Sequence, residues 1–106
     1  MAIGNMRRKL TLERIVRVGD GGGGALASWV SVALVWGAVD ALSGDEALEK
    51  HRVSGRVSHE IGVRYRSDVE PEMRFSMDGR VFQILAVFDP DGRRRWLKCL
   101  CEEREL

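Results

Sequence analysis

The sequence contains few of the residues on which catalytic, metal-binding and disulfide-stabilised proteins depend. Its 106 residues include two histidines, two cysteines and two prolines. Cys99 and Cys101 are separated by one residue, so in a strand their side chains would share a face about 7 Å apart, a poor geometry for a disulfide. Two ligands are also too few for a structural zinc site, which uses four. We expect reduced thiols that pack as small apolar side chains.

No segment has the composition of a signal peptide or of a membrane-spanning helix. The first ten residues lack the apolar region of a signal peptide. The longest apolar stretch, residues 29–42, is interrupted by Ser31, Gly37 and Asp40. We therefore expect a protein that is made in the cytoplasm and has no membrane partner.

Positive and negative charges almost cancel, with 17 basic and 16 acidic residues and a net charge of +1. This balance argues against a general nucleic-acid binder, which normally carries a basic excess. Arginines outnumber lysines 14 to 3. Two explanations stay open: arginines that pair through their planar guanidinium at interfaces, and a coding bias with no structural meaning.

The candidates for catalysis are weak. His59 lies on the apolar face of a predicted strand, where a packed core or seam histidine is more common than a catalyst. His51 follows a predicted helix and would cap carbonyl groups there. Acidic neighbours such as Asp89 and Asp91 fall in a turn, where aspartate has a backbone role. We expect no enzyme activity, no cofactor and no metal.

The hydrophobic pattern predicts an all-β protein: a small antiparallel barrel or sandwich of about six strands, one short helix and a long glycine-rich loop. One domain would span residues 1–106, with flexible tails at 1–8 and 102–106. An irregularity is expected near Arg14 and Ile15. The predicted strands cover residues 10–18, 27–39, 52–66, 73–77, 81–88 and 96–101. The helix, from about residue 44 to 50, starts from the capping-box spacing of Ser43 and Glu46.

Two of these strands indicate contact with a partner. Residues 52–66 alternate between an apolar and a basic face over about fourteen residues, or ~45 Å at ~3.3 Å per residue, which is longer than a barrel of this size needs. Residues 29–39 carry apolar side chains on both faces, as in a strand covered on both sides by one barrel, or by a core and a neighbouring subunit.

The glycine-rich stretch is predicted to be the tip of a hairpin that a partner would order. It lacks the Gly-Lys-Ser/Thr ending of a phosphate-binding loop. Its residues are Asp20, Gly21, Gly22, Gly23, Gly24 and Ala25.

The basic features have three readings that stay open: a solvated face balanced by acidic neighbours, salt bridges to copies of the chain, and contacts with nucleic-acid phosphates. Aromatic residues do not interleave with these arginines, which disfavours the last reading. The arginines are Arg52, Arg56, Arg64 and Arg66 on the long strand and Arg93, Arg94 and Arg95 in a turn.

The order of several short segments resembles the phage head–tail joining family, the adaptors and stoppers of the head–tail connector. The resemblance runs from about Met6 to Glu103, and it is carried by order and spacing, since no segment is a catalytic signature. The segments that carry it are WGAVDALSG at 36–44, IGVRYR at 61–66, GRVFQI at 79–84 and DPDGR at 89–93.

The resemblance implies a β-barrel subunit of a sixfold or twelvefold ring between the portal side of a capsid and the tail, in a phage or in a particle such as a gene transfer agent. Implied partners are copies of the chain, a portal-side adaptor, tail proteins, and packaged double-stranded DNA in weak contact. The loop 20–25 would face the channel or a partner. Contacts between subunits or rings would fall to Trp29, to Glu46 and Glu49 of the helix, and to the arginines named above.

Two alternatives from other classes are a small β-barrel that binds nucleic acid through the arginine-rich strand, and a metal or redox protein built on Cys99 and Cys101.

Overall fold

Antiparallel strands account for most of the computed structural model, which describes residues 7–19, 21–42 and 57–104. They close into a barrel in the order β1-β2-β3-β6-β5-β4, so the all-β prediction is confirmed. The strands are β1 (Arg8–Gly19), β2 (Ala25–Ala41), β3 (His59–Arg64), β4 (Arg74–Met77), β5 (Arg80–Phe88) and β6 (Trp96–Arg104).

The core is built by alternate residues of each strand, because successive side chains of a strand point to opposite faces. Phe75 and Phe82 face each other across β4 and β5, and both are fully buried. Burial of a side chain of this kind stabilises the fold by roughly 1.5–3 kcal/mol. The other buried members of this cluster are Leu10, Leu12, Ile61, Val63, Val69, Met73, Met77, Ile84, Leu97, Cys99 and Cys101.

The β1–β2 hairpin extends beyond the barrel. β1 pairs with β4 only at Thr11–Glu13, and β2 pairs with β3 only from Gly37 onward. Residues 14–19 and 25–30 therefore pair with each other alone, and we call this two-stranded ribbon the arm. The molecule measures 48 × 28 × 27 Å.

The register of the hairpin changes at a bulge. Leu12 pairs with Ala33 and Glu13 with Ser31, so Val32 of β2 is the extra residue. The irregularity predicted near Arg14 and Ile15 lies next to that position, between Leu12 and Glu13, but the extra residue is on β2 rather than on β1. Because the extra residue lies on β2, the inward–outward alternation of β1 continues unbroken from the barrel into the arm.

The sequence pattern overestimated the third strand. The strand predicted over 52–66 corresponds to β3, which spans His59–Arg64. Residues 57 and 58 precede the strand and Tyr65 and Arg66 begin a loop, while residues 52–56 lie outside the described residues. Alternation shows which side chains share a face but not where the pairing partner ends, and β2 supplies partners only for residues 59–63. The long projecting element is the β1–β2 hairpin instead.

The predicted ends also need correction. Arg8 is the first residue of β1, and β6 continues through Glu102 to Arg104 because β5 pairs with it there. The predicted helix over 44–50 lies outside the described residues.

Close packing around Gly37 of β2 yields a stability prediction. An added Cβ would lie 2.8 Å from Leu10 Cδ1 and 3.0 Å from the Gly62 carbonyl oxygen. Gly37→Ala should lower the free energy of unfolding by about 1–3 kcal/mol, as overpacking does, in urea denaturation. Gly19→Ala is the matched control, because an added Cβ there meets no atom within 4 Å. Equal effects of both substitutions would contradict the packing argument.

Candidate functional site

Three chain connections lie at the same end of the barrel, because neighbouring strands all run antiparallel. They are the arm with its tip, the loop after β3 at residues 65–73, and the turn before β6 at residues 89–95. The Tyr65 N–H donates a hydrogen bond to the Arg95 carbonyl oxygen at 3.0 Å and joins the loop to the turn. We call this region the arm end.

The arm end collects predicted site residues that are far apart in the sequence. Asp20, Glu46, Glu49, Arg52 and Arg56 lie outside the described residues. The residues brought to the arm end are Gly21, Gly22, Gly23, Gly24, Ala25, Trp29, Arg64, Arg66, Arg93, Arg94 and Arg95.

Several arginines of the arm end have partners within the subunit. Arg66 donates two hydrogen bonds to Asp68, at 3.0 and 2.9 Å, and the pKa of the Asp68 carboxyl is lowered by them. Arg95 pairs with Asp91 at 2.7 Å. The Arg64 guanidinium lies 5.4 Å from the centre of the Trp96 ring. These contacts reduce the charge offered to an external phosphate.

Arg93 and Arg94 differ from these paired arginines, because their side chains are exposed and form no ion pair within the described part of the chain. Asp89 accepts backbone N–H groups of Gly92 and Arg94. The aspartates of this turn therefore organise its backbone, as the sequence pattern predicted.

The base of the arm is braced by a residue that the sequence analysis did not single out. Arg74 of β4 lies directly opposite Glu13 and donates to its carboxylate at 2.7 Å. The same guanidinium lies 4.2 Å from the centre of the Trp29 ring, within the range of a cation–π interaction. Trp29 thus has an intramolecular role, which only the β1–β4 register reveals.

Beyond this brace the arm exposes apolar side chains. Val18 and Leu26 are directly opposite each other and are 58% and 67% exposed. Gly21 and Gly23 at the tip adopt φ angles of 84° and 89°, which favour glycine. Leu34 and Trp36, farther along β2, are 64% and 58% exposed. Exposed apolar groups of this size mark contact surfaces when they cluster.

His59 lies at the opposite end of the barrel, in a polar seam. Its Nδ1 is 2.9 Å from Ser58 Oγ, its Nε2 is 3.8 Å from Glu103, and its ring packs edge-on against Phe82. Burial lowers the pKa of His59. Arg80 donates two hydrogen bonds to Glu103 and lowers the pKa of that carboxyl. This arrangement matches the predicted seam histidine.

The cysteines are free thiols in the core. Burial raises the pKa of Cys99 to about 12 and raises that of Cys101 as well, so both are protonated and poorly nucleophilic at neutral pH. Residues 7–19, 21–42 and 57–104 contain no cluster of three or more histidine, cysteine or acidic side chains suited to a metal. The same residues form no helix that could span a membrane.

Comparison with known proteins places the chain among phage proteins. Residues 1–104 match the family described as phage head completion protein. Protein SF1141 from Shigella flexneri 2a is similar with a TM-score of 0.78 and 29% identity, covering 97% of this chain and 96% of that chain. A chain in the virion of a native gene transfer agent particle is similar with a TM-score of 0.67 and 35% identity, covering 94% and 96%. The search of curated proteins found no match.

The brace at the base of the arm can be tested by hydrogen exchange. Arg74→Ala removes the ion pair with Glu13 and the contact with Trp29. Amide hydrogens of the arm around Ile15 should exchange about fivefold faster, equivalent to ~1 kcal/mol, in NMR exchange measurements. Amides of the core strand around Ile61 should keep their rates. Arg66→Ala, which removes an exposed pair at the same end, is the control, and an arm unaffected by Arg74→Ala would contradict the brace.

The partly buried His59 predicts a pH dependence. Because the pKa of His59 is below 6.5 in the folded state, the unfolded chain binds more protons below that pH and folding stability falls as pH decreases. In urea denaturation, His59→Gln should flatten the slope of unfolding free energy between about pH 7 and pH 5.

Two other groups do not disturb this test. Glu103, with its lowered pKa, contributes stability that is lost only below the ordinary carboxyl value of 4.5. His51 is present in both of the proteins that are compared. An unchanged slope in the variant would contradict the prediction.

Proposed function

Because the chain belongs to the phage head completion protein family, we propose that it is a structural subunit of the ring that connects the portal side of a capsid to the tail. In this role it seals packaged DNA in the head and provides a docking surface for the tail. The observation that carries the proposal is the family match over residues 1–104, together with the similarity to a chain of a gene transfer agent virion. The chain thus has a structural role in a phage-like particle.

The architecture suits a structural subunit rather than an enzyme. The barrel interior is filled by apolar side chains. The His59 ring lies within hydrogen-bond distance of Ser58 and packs against Phe82. The exposed features include the arm, Leu34 and Trp36 of β2, and the arginines of the arm end. These are features for contact with other macromolecules.

A ring of this kind requires contacts between identical subunits. A closed ring needs heterologous contacts, in which one surface of each copy meets a different surface of the next. In our proposal the ring has sixfold or twelvefold symmetry, with a portal-side adaptor on one side and tail proteins on the other. The arm is the element that reaches outside the subunit.

Packaged double-stranded DNA passes through the channel in weak contact. The net charge of the chain is +1, and Arg66 and Arg95 are paired with aspartates. Because the affinity for DNA rises with the number of phosphates neutralised, such a surface lets the duplex slide. The glycine-rich tip, residues 20–25, is the proposed channel-facing or partner-docking loop.

A second candidate is a nucleic-acid-binding barrel. The observation that favours it is the exposure of Arg93 and Arg94 at the same end as Arg14 and Arg17 of the arm. Against it stand the partners of Arg64, Arg66 and Arg95 and the nearly neutral charge.

The proposed function is tested in a strain that produces the particle. Deletion of the gene should give heads that lose DNA and lack tails, scored by electron microscopy and nuclease protection of the packaged DNA. The intact gene should restore both. A variant that lacks Gly22 and Gly23 should fold normally, because the tip between β1 and β2 contributes nothing to the core cluster, yet should fail in DNA retention or tail attachment.

Two results would count against the proposed function. Normal particles without the chain would contradict the connector role. Tight binding of short duplex DNA by the purified chain, with a steep loss of affinity as salt increases, would favour the nucleic-acid-binding barrel.

A further inference from the structure

Two exposed apolar patches lie on the β1–β2 hairpin, at different positions along its length. The first, the arm patch, consists of Val18 and Leu26 with Arg14. The second, the barrel patch, consists of Leu34 and Trp36 with Asp40. Apart from Phe88, the four apolar residues of these patches are the large hydrophobic side chains that the described part of the chain exposes.

The two patches lie on opposite faces of the β1–β2 ribbon. Alternate residues of β1 point inward, as Leu10 and Leu12 do in the core, and the same alternation places Arg14 and Val18 on the continuation of that inner face. Leu26 shares this face because it is the cross-strand partner of Val18.

The barrel patch lies on the outer face of the sheet. Leu34 and Trp36 are opposite Thr11 and Lys9, which alternate with the buried residues of β1. Asp40 is four residues beyond Trp36 on the same face of β2. A twofold contact buries a single self-complementary surface, so it cannot cover patches that face opposite ways. A heterologous contact, which joins two different surfaces, can cover both patches.

Charge and spacing agree with such a contact. Arg14 lies four residues from Val18, and Asp40 lies four residues from Trp36, a distance of ~13 Å in either strand. Both charged side chains are exposed, and neither forms an ion pair within the described residues. When the apolar parts of the two patches meet in parallel, the guanidinium of one copy reaches the carboxylate of the next.

The dimensions of the subunit also permit this arrangement. Leu26 and Trp36 are ten residues apart, about 33 Å at ~3.3 Å per residue. A copy shifted by this length along the hairpin still overlaps its neighbour, since the molecule is 48 Å long.

We propose that the arm patch of each copy covers the barrel patch of the next copy, with Arg14 paired to Asp40, and that this contact closes the ring. The proposal rests on the proposed function, because it names the surfaces by which the connector subunits meet. The occupant of each patch is therefore a second copy of this chain. The contact has a polarity. One copy contributes its arm and is called the donor, and the next copy contributes β2 and is called the acceptor.

Cysteine crosslinking tests this polarity. A chain that carries both Val18→Cys and Trp36→Cys is treated with a short bismaleimide, in purified particles and as a concentrated solution of the chain. The native thiols of Cys99 and Cys101 are fully buried, and they should stay unmodified. Denaturing gels should show a ladder of covalent dimers, trimers and larger species up to the ring. Chains with either cysteine alone should show no ladder.

Further variants exclude misfolding and test the ion pair. Leu26→Cys with Leu34→Cys is an independent donor–acceptor pair that should give the same ladder. Phe88→Cys with Val18→Cys is the control, because Phe88 is exposed outside both patches. In the Val18→Cys, Trp36→Cys background, Arg14→Asp should reduce the crosslinking yield several-fold, and Asp40→Arg added to it should restore the yield.

The outcomes separate the two proposals. Dimers formed by Val18→Cys alone would indicate a twofold contact and overturn the inference. A chain that is present in particles but forms no ladder with either cysteine pair would overturn the inference while the connector role stands. A chain absent from the particles would overturn the proposed function itself.

Discussion

The barrel is closed by a short contact between β1 and β4, on which the rest of the architecture depends. Thr11, Leu12 and Glu13 pair with residues 74–76, and beyond this point β1 has only β2 as a neighbour. The closure completes the apolar core around Phe75 and Phe82. It also decides where the arm begins, because the hairpin leaves the barrel beside Arg74, the first residue of β4. The Arg74 brace lies at this junction and couples closure to the direction of the arm.

In this chain of 106 residues, one hairpin belongs partly to the barrel and partly to the arm. The part of the hairpin within the barrel contributes Leu10 and Leu12 to the core, while the arm exposes Val18 and Leu26. The stable barrel and the contact surface therefore share one continuous ribbon. In the proposed ring, a subunit of this design meets its neighbours through an extension of its own sheet, which suits a structural protein.

Much of the fold could be predicted from local patterns. Alternation in β3 placed His59, Ile61 and Val63 on one face, and the predicted strands over 73–77 and 81–88 correspond closely to β4 and β5. The length of β3 could not be predicted, because a strand ends where its neighbours stop pairing, whatever its own alternation. The role of Arg74 was also hidden, since it depends on the pairing of Glu13 with a residue 61 positions away.

The amino-acid sequence by itself determined the class of the protein: an all-β domain with reduced cysteines, nearly cancelled charge and a glycine-rich hairpin tip, together with its resemblance to head–tail joining proteins. These properties depend on composition and on patterns within a few residues. Only the tertiary structure decided which strand projects, which arginines are paired, and that the apolar patches of the hairpin face opposite ways. The physical reason is that register, closure and burial arise from contacts between distant segments, and no local pattern encodes them.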